Sequence, residues 1–130
     1  MASPKEKTEP KILIFDIETS HMLVRVWRCG EQRIRPDQIV QDWNILCCSA
    51  KWLNEKDVMC VDLSKQKNKR DDRKILKWIS DLLNEADYVI SKNGKRFDEP
   101  KIRWRIIKNG FKPPNPFVHI DTEKMIRGSF

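Results

Sequence analysis

The sequence predicts one α/β domain built on a mixed β-sheet, with the first strand at its centre. Three observations carry this. Ile12 to Ile17 is an apolar, β-branched run of strand length. Ile75, Leu76, Ile79, Leu82, Leu83 and Ala86 recur at i, i+1, i+4, i+7, i+8 and i+11, the apolar stripe of an amphipathic helix. Beyond that helix, strand-like and helical segments alternate to Phe130. At 130 residues the chain can bury a sizeable core in a single domain. Residues 1–10 are expected to be a flexible tail and 11–130 the domain.

In order along the chain, Ile12–Ile17 gives the first strand. Leu23 to Cys29 alternates loosely, Gly30-Glu31 marks a turn, and Gln32 to Ile34 is expected to continue as a paired strand before Pro36-Asp37 breaks the pattern. Ile45 to Leu53 reads as a buried strand and Val58 to Leu63 as a further extended piece, so an antiparallel meander is expected. Ser64 to Arg70 is a basic loop without apolar periodicity. Asp71-Asp72 supplies acidic N-terminal chemistry for a helix running to about Ala86, with Trp78 packing beside its stripe. Tyr88–Ser91 is a short buried strand. Asp98 sits where an N-cap belongs, with Pro100 in the first turn of a second helix. Ile102, Ile106 and Ile107 mark its inner face, and Lys101, Arg103, Arg105 and Lys108 leave the remainder strongly basic. Gly110 and Pro113-Pro114 end it. Phe117–Ile120 is a last strand, and Asp121-Thr122 begins a final helix.

Composition narrows the function classes. Hydrophobic residues are 39% and charged residues 35% of the chain, a globular balance. The 26 basic against 19 acidic residues give +7, an electrostatic invitation to an anionic partner such as nucleic acid. Cys29, Cys47, Cys48 and Cys60 have no C-x-x-C spacing, and His21 and His119 stand alone, which argues against zinc. Cys47 and Cys48 lie in an apolar run and read as small core residues of a reducing compartment. Met1 to Pro10 has no apolar signal-peptide core and no apolar run reaches membrane-spanning length. The expectation is a soluble, cytoplasmic protein that engages no membrane.

The chemistry concentrates at the end of the first strand. Strand alternation puts Ile12, Ile14, Asp16 and Glu18 on one face and Leu13, Phe15 and Ile17 on the other. Two acids emerging side by side repel each other, and a divalent cation with a taste for hard oxygen, Mg²⁺ or Mn²⁺, would relieve them. A solvated acidic turn is the plain alternative, and a D-x-E alone would favour it.

Two motifs decide between these. Phe15-Asp16-Ile17-Glu18-Thr19 resembles the first motif of the DEDD superfamily of 3′–5′ exonucleases, which have a ribonuclease H-like fold. Asn93-Gly94-Lys95-Arg96-Phe97-Asp98 matches the second, N-x-x-x-F-D, in the form seen in proofreading domains of family B polymerases. The chain as a whole is similar to small phage-type exonucleases of that group, including Asp42-Trp43, Lys51-Trp52 and Ile120-Asp121-Thr122. The resemblance implies a phage-encoded enzyme working in a bacterial host. It also implies a two-metal nuclease acting on single-stranded nucleic-acid ends, DNA foremost, with two Mg²⁺ or Mn²⁺ ions. Asp16 would bridge both ions, Glu18 would help hold the one that activates water, and Asp98 would hold the other. Thr19, Asn93, Lys95, Arg96 and Phe97 are the implied substrate-binding residues. Phe97 would stack on a base or else pack in the core; Asn93 would touch the terminal nucleotide or else serve a turn before Gly94.

One part of the pattern is missing. The third motif, H-x-x-x-x-D or Y-x-x-x-D on a late helix, has no counterpart before Phe130: Tyr88 precedes Asp98, and His119 stands only two positions before Asp121. Asp121 is therefore either the N-cap of the last helix or an extra ligand. The domain is expected to be C-terminally incomplete, truncated before its last helices. Three readings follow: an active exonuclease, a nucleic-acid-binding module that has lost turnover and holds phosphates with residues 64–70 and 101–108, or one part of a split enzyme whose open core face takes a helix from a partner chain or a second copy.

Overall fold

The computed structural model describes residues 8–129. Residues 1–7 of the expected tail, and Phe130, lie outside the described residues. The elements are β1 (Ile12–Thr19), β2 (Leu23–Val24), β3 (Ile39–Gln41), β4 (Ile45–Trp52), β5 (Met59–Asp62), α1 (Arg73–Glu85), β6 (Tyr88–Ser91), α2 (Asp98–Lys108), β7 (Val118–Asp121) and α3 (Thr122–Ser129). Five strands form one mixed sheet in the order β5-β4-β1-β6-β7. β1 is central, antiparallel to β4 on one side and parallel to β6 on the other. The parallel side is reached through helical crossovers, as a parallel neighbour requires.

Alternation along β1 sorts the two faces. Leu13, Phe15 and Ile17 are buried, together with Cys48 and Ala50 of β4 and Val89 of β6, against Ile75, Leu76, Ile79 and Leu83 of α1 and Ile102 and Ile106 of α2. Cys48 is a core residue as the sequence implied, whereas Cys47 is only half-buried. The opposite face carries Ile12, Ile14, Asp16 and Glu18, and its apolar members are only half-buried. Among the described residues no helix is long and apolar enough to cross a membrane.

Four local expectations are corrected, one of them Ile107, which was expected on the inner face of α2 with Ile102 and Ile106 but is exposed. The meander consists of β1, β4 and β5 only; Leu23 and Val24 instead pair with Gln41 and Ile39 in a separate two-stranded ribbon, and Gln32–Ile34 forms no strand. A 3-10 turn over Pro36–Gln38 reverses the chain, and the Arg25 N–H donates to the Gln38 carbonyl at 2.8 Å, so the partner strand starts later than expected. Asp72 does not cap α1 with its side chain. The nearest substitute is Asp71, whose Oδ1 accepts the Arg73 N–H at 3.2 Å. Asp98 is the first residue of α2 rather than its cap, a position taken by Phe97. The end of α2 follows expectation. Gly110, at φ +73°, donates to the Ile107 carbonyl and Phe111 to the Ile106 carbonyl, the paired bonds of a left-handed helix terminus.

Asp72 has a different task. Its Oδ2 accepts the Ile45 N–H at 2.9 Å and Arg105 Nε at 2.8 Å, while Oδ1 accepts Arg105 Nη2 at 2.6 Å. Asp72 is fully buried and Arg105 nearly so. Arg105 is thus an inner-face residue joining α2 to the start of α1 and β4, not part of an exposed basic surface. Removing one member of a buried, bidentate pair strands the other without solvent. Asp72→Ala is expected to lower the unfolding free energy by about 3–5 kcal/mol in urea titration. Arg105→Lys, which retains charge but not the fork, should cost less than that.

Candidate functional site

Beyond Ile14 and Ile90 the ladder between β1 and β6 ends. The Ile17 N–H would be left without a strand partner there, and Asp98 Oδ1 accepts it at 3.1 Å. This contact draws the N-terminus of α2 onto β1 and brings Asp98 against Asp16. Asp98 is 1% exposed, whereas Asp16 and Glu18 are exposed. Burial, then the adjacent Asp16 charge, push the Asp98 carboxyl up to about 6, with the Ile17 N–H only partly offsetting them. Glu18 shares Asp16's face, next to an irregularity in the β1–β4 register between Glu18 and Thr19. Half-buried Thr19 lies opposite Ile45.

The structure therefore brings two of the three predicted acids together. Among the described residues no group of three or more His, Cys, Asp or Glu side chains is arranged to hold a metal ion. A pair of facing carboxylates, Asp98 with its raised proton affinity and the exposed Asp16, nevertheless suits a hard divalent cation. Mg²⁺ commonly takes one or two protein carboxylates and completes its shell with water and substrate phosphate. Asp16 also lines an open groove of about 520 Å³ on the sheet's uncovered face, with Ile14, Ser49, Lys51, Ile90 and Thr122.

The loop before α2 is held by Asp121. Its Oδ1 accepts the N–H of Asn93 at 2.8 Å and of Glu123 at 3.1 Å, and its Oδ2 that of Lys95 at 3.4 Å. Burial pushes this carboxyl up, but the three N–H bonds prevail and hold it below its ordinary value. Asp121 thus caps α3 and clamps the loop. Asn93 occupies a left-handed turn conformation at φ +57°, so the turn reading holds for its backbone, and its side chain faces outward. Gly94 has a steric reason: a Cβ there would meet Ser91 Oγ at 1.7 Å. Beneath it, Ser91 Oγ and His119 Nε2 are 2.5 Å apart, and His119 Nδ1 lies 2.5 Å from Glu99 Oε2. Ser91 is 3% exposed under Gly94, which makes this chain of bonds a brace between β6, β7 and α2.

Lys95, Arg96 and Phe97 are exposed. Phe97 is 38% exposed, so its ring is not a core residue. Two residues named in the sequence for other reasons, Lys101 and Trp43, lie next to one another, with Lys101 beside this ring. Lys101 Nζ lies 5.1 Å from the Phe97 ring centre and 3.9 Å from that of Trp43. The i, i+4 spacing of Phe97 and Lys101 on a helix was a readable sign of this contact; the approach of Trp43 was not.

The cations expected to form a phosphate-binding face are mostly engaged within the molecule. Arg103 pairs with Glu99 at 2.9 Å, Arg105 with Asp72, and Lys108 with Asp42 at 2.5 Å. Lys69 bonds the carbonyls of Leu63 and Ser64, and Arg70 that of Asp42. The charges of Arg103, Arg105 and Lys108 are answered by carboxylates, whereas Lys69 and Arg70 of the 64–70 loop bond only carbonyl oxygens and keep their charge.

The fold of this chain is similar to that of part of a family B DNA polymerase. The solved structure of that enzyme, from the hyperthermophilic archaeon Pyrobaculum calidifontis, superposes with a TM-score of 0.63 at 15% sequence identity. The match covers 92% of this chain and 16% of the polymerase chain, so the chain spans a small part of the polymerase's length. At that identity the likeness establishes a related α/β fold. No family model matches the sequence, and no curated protein does.

The raised Asp98 carboxyl has a thermodynamic sign. Its folded-state value of about 6 exceeds the ordinary 3.8, so between these values the folded chain binds the extra proton. Its contribution favours folding in acid and is lost as pH rises through about 4 to 6. Asp98→Asn keeps an oxygen for the Ile17 N–H and removes the charge. In urea unfolding, this variant should gain on the wild type by about 2–3 kcal/mol between pH 4 and pH 7. A difference that is the same at both pH values would show that Asp98 carries no strained charge.

Proposed function

We propose that this chain is a divalent-metal-dependent 3′–5′ exonuclease of the DEDD type on a ribonuclease H-like fold, acting on single-stranded ends, DNA foremost. The observation that carries the reading is the seating of buried Asp98 against Asp16 through the Ile17 N–H. Two acids separated by 81 residues are held together where the β1–β6 ladder ends. An arrangement that raises a carboxyl's proton affinity without giving it a cationic partner costs stability, and such sites are where chemistry is to be sought.

Asp16, Asp98 and Glu18 would hold two Mg²⁺ or Mn²⁺ ions. When bound, such ions lower the pKa of the attacking water and neutralise charge on the departing 3′ oxygen. The remaining work falls to this chain's side chains. The exposed Phe97 ring offers a face on which the terminal base can stack, with Lys101 beside it as a cation. Asn93 presents its amide from the turn, and Lys95 and Arg96 extend from the same loop toward phosphate. Thr19 lies at the strand end beyond the acids. Asp121, with its oxygens committed to three N–H groups, is assigned to the loop and helix cap rather than to an ion.

A second reading is favoured by one observation, the open groove beside Asp16 together with a pair rather than a trio of converging acids. In it the chain is one part of a split exonuclease, or a binding module with little turnover, and a helix of a partner chain or second copy covers the open face.

The test uses a 5′-labelled single-stranded oligonucleotide with Mg²⁺ or Mn²⁺, and EDTA as control. The wild type is expected to produce a ladder shortened from the 3′ end. Asp16→Ala should abolish it, and Asp98→Asn should slow it by roughly 10²-fold or more, the scale of losing one electrostatic stabiliser. Metal-dependent shortening that survives Asp16→Ala would refute the catalytic assignment. Binding without any shortening would move the conclusion to the second reading.

A further inference from the structure

Between Ser20 and Asn44 the chain leaves the main sheet and returns to it. The base of this excursion is pinned: the Ser20 N–H donates to the Asn44 carbonyl at 2.9 Å, and the Asn44 N–H donates to Ser20 Oγ at 3.0 Å. β2 and β3 form its ribbon. Gln38 fastens the middle, its Nε2 donating to the Arg25 carbonyl at 3.2 Å and its Oε1 accepting the Arg35 N–H at 2.9 Å. Gln32 Nε2 closes the turn onto the Arg28 carbonyl at 2.6 Å. The segment is therefore a built arm, and it springs from the end of β1 that carries Asp16 and Glu18.

The arm displays apolar and basic side chains together. Trp27 is 102% exposed, and Met22, Leu23 and Val26 are exposed beside it. From Met22 to Arg35 the arm holds Arg25, Arg28, Arg33 and Arg35 against a single acid, Glu31. Only Arg35 is paired, with Asp37 at 3.2 Å; among the described residues no carboxylate forms an ion pair with Arg25, Arg28 or Arg33. A cleft of about 430 Å³ lies between Arg25, Val26 and Trp27 on one side and Arg35, Asp37 and Gln38 on the other. The arm thus offers free guanidinium groups and an indole in water, while the cations of α2 are held within the molecule.

We propose that residues 22–38 form a single-stranded nucleic-acid-binding arm, in which Trp27 stacks on a base and Arg25, Arg28 and Arg33 meet the backbone phosphates, upstream of the end held at Asp16 and Asp98. A fully solvated indole is an unfavourable ornament unless a flat apolar partner covers it, and every base has such a face. Unpaired arginines around it supply the charge that a phosphate chain requires and an acidic peptide could share, but the ring selects the ligand with π-faces. This inference rests on the nucleic-acid reading of the site and extends it to affinity several nucleotides away.

The experiment measures binding by the full chain, in EDTA so that nothing is consumed, using fluorescein-labelled oligothymidylates of 4 and 15 nucleotides. Trp27→Ala should weaken binding of the longer probe about tenfold, with much less effect on the shorter one. Trp27→Phe should restore most of it. The triple change Arg25→Gln, Arg28→Gln, Arg33→Gln should reduce the slope of log affinity against log salt by about 2, whereas Trp27→Ala leaves that slope alone. Wild-type affinity for the longer probe in both variants would overturn the arm while leaving the nuclease reading intact. Tight binding of polyglutamate in place of oligothymidylate would assign the arm to acidic protein and overturn it as well. If the wild type binds neither oligonucleotide, the arm falls, and the nuclease reading stands or falls separately on metal-dependent shortening of the labelled oligonucleotide.

Discussion

The point on which the site depends is the bond from the Ile17 N–H to Asp98. A strand at the centre of a sheet cannot leave a buried N–H unanswered without a cost of about 1–3 kcal/mol. Here the neighbouring strand turns away after Ile90. The vacancy is filled from the first residue of a helix, so one requirement of the backbone fixes both where α2 begins and which residue of it faces Asp16. The same device recurs twice. Asp72 answers the Ile45 N–H at the start of β4, and Asp121 answers Asn93 and Lys95 on the loop into α2. Three buried acids, each serving main chain where a regular ladder ends, hold the helices to the sheet.

Their charges are treated differently, and that difference separates architecture from candidate chemistry. Asp72 receives a bidentate guanidinium. Asp121 receives three N–H groups, and they outweigh its burial. Asp98 receives the Ile17 N–H and faces a second carboxylate, so its carboxyl rises. The first two would be disturbed by any cation competing for their oxygens. The third is the one whose folded-state energy a cation would improve. Equal burial with unequal compensation is a sharper pointer than burial by itself.

How far the sequence exposed this depends on the range of each interaction. Strands and helices were legible because their periods are local: Ile12–Ile17, the stripe from Ile75 to Ala86 and the stop at Gly110 each describe their own neighbourhood. Asp16 and Asp98 could be matched only through motif resemblance, since nothing local says that they meet. Asp72 misled for the same reason; an acid ahead of a helix reads as a cap, and its actual partner, Arg105, is 33 residues on. Arg105 itself was partly readable, because it stands three positions after Ile102 and thus near the inner face of α2. The arm escaped notice because loose alternation from Leu23 to Cys29 says that a segment is extended, not that one of its faces has no neighbour.

The distribution of charge joins these strands of reasoning. Two carboxylates at the end of β1 repel a phosphate chain, so a site made of acids cannot supply its own affinity for a polyanion in the absence of metal. On the nuclease reading, the excess of seven positive charges acts elsewhere on the surface. Helix α2 cannot contribute much of it, since Glu99, Asp72 and Asp42 already neutralise Arg103, Arg105 and Lys108. Among the described residues, three arginines of the ribbon between β1 and β4 have no such partners, and that ribbon is anchored next to the acids by Ser20 and Asn44. On the proposed reading, attraction and chemistry are therefore carried by separate surfaces at one end of the sheet. A strand held by the arm would bring its end to acids that would otherwise turn it away.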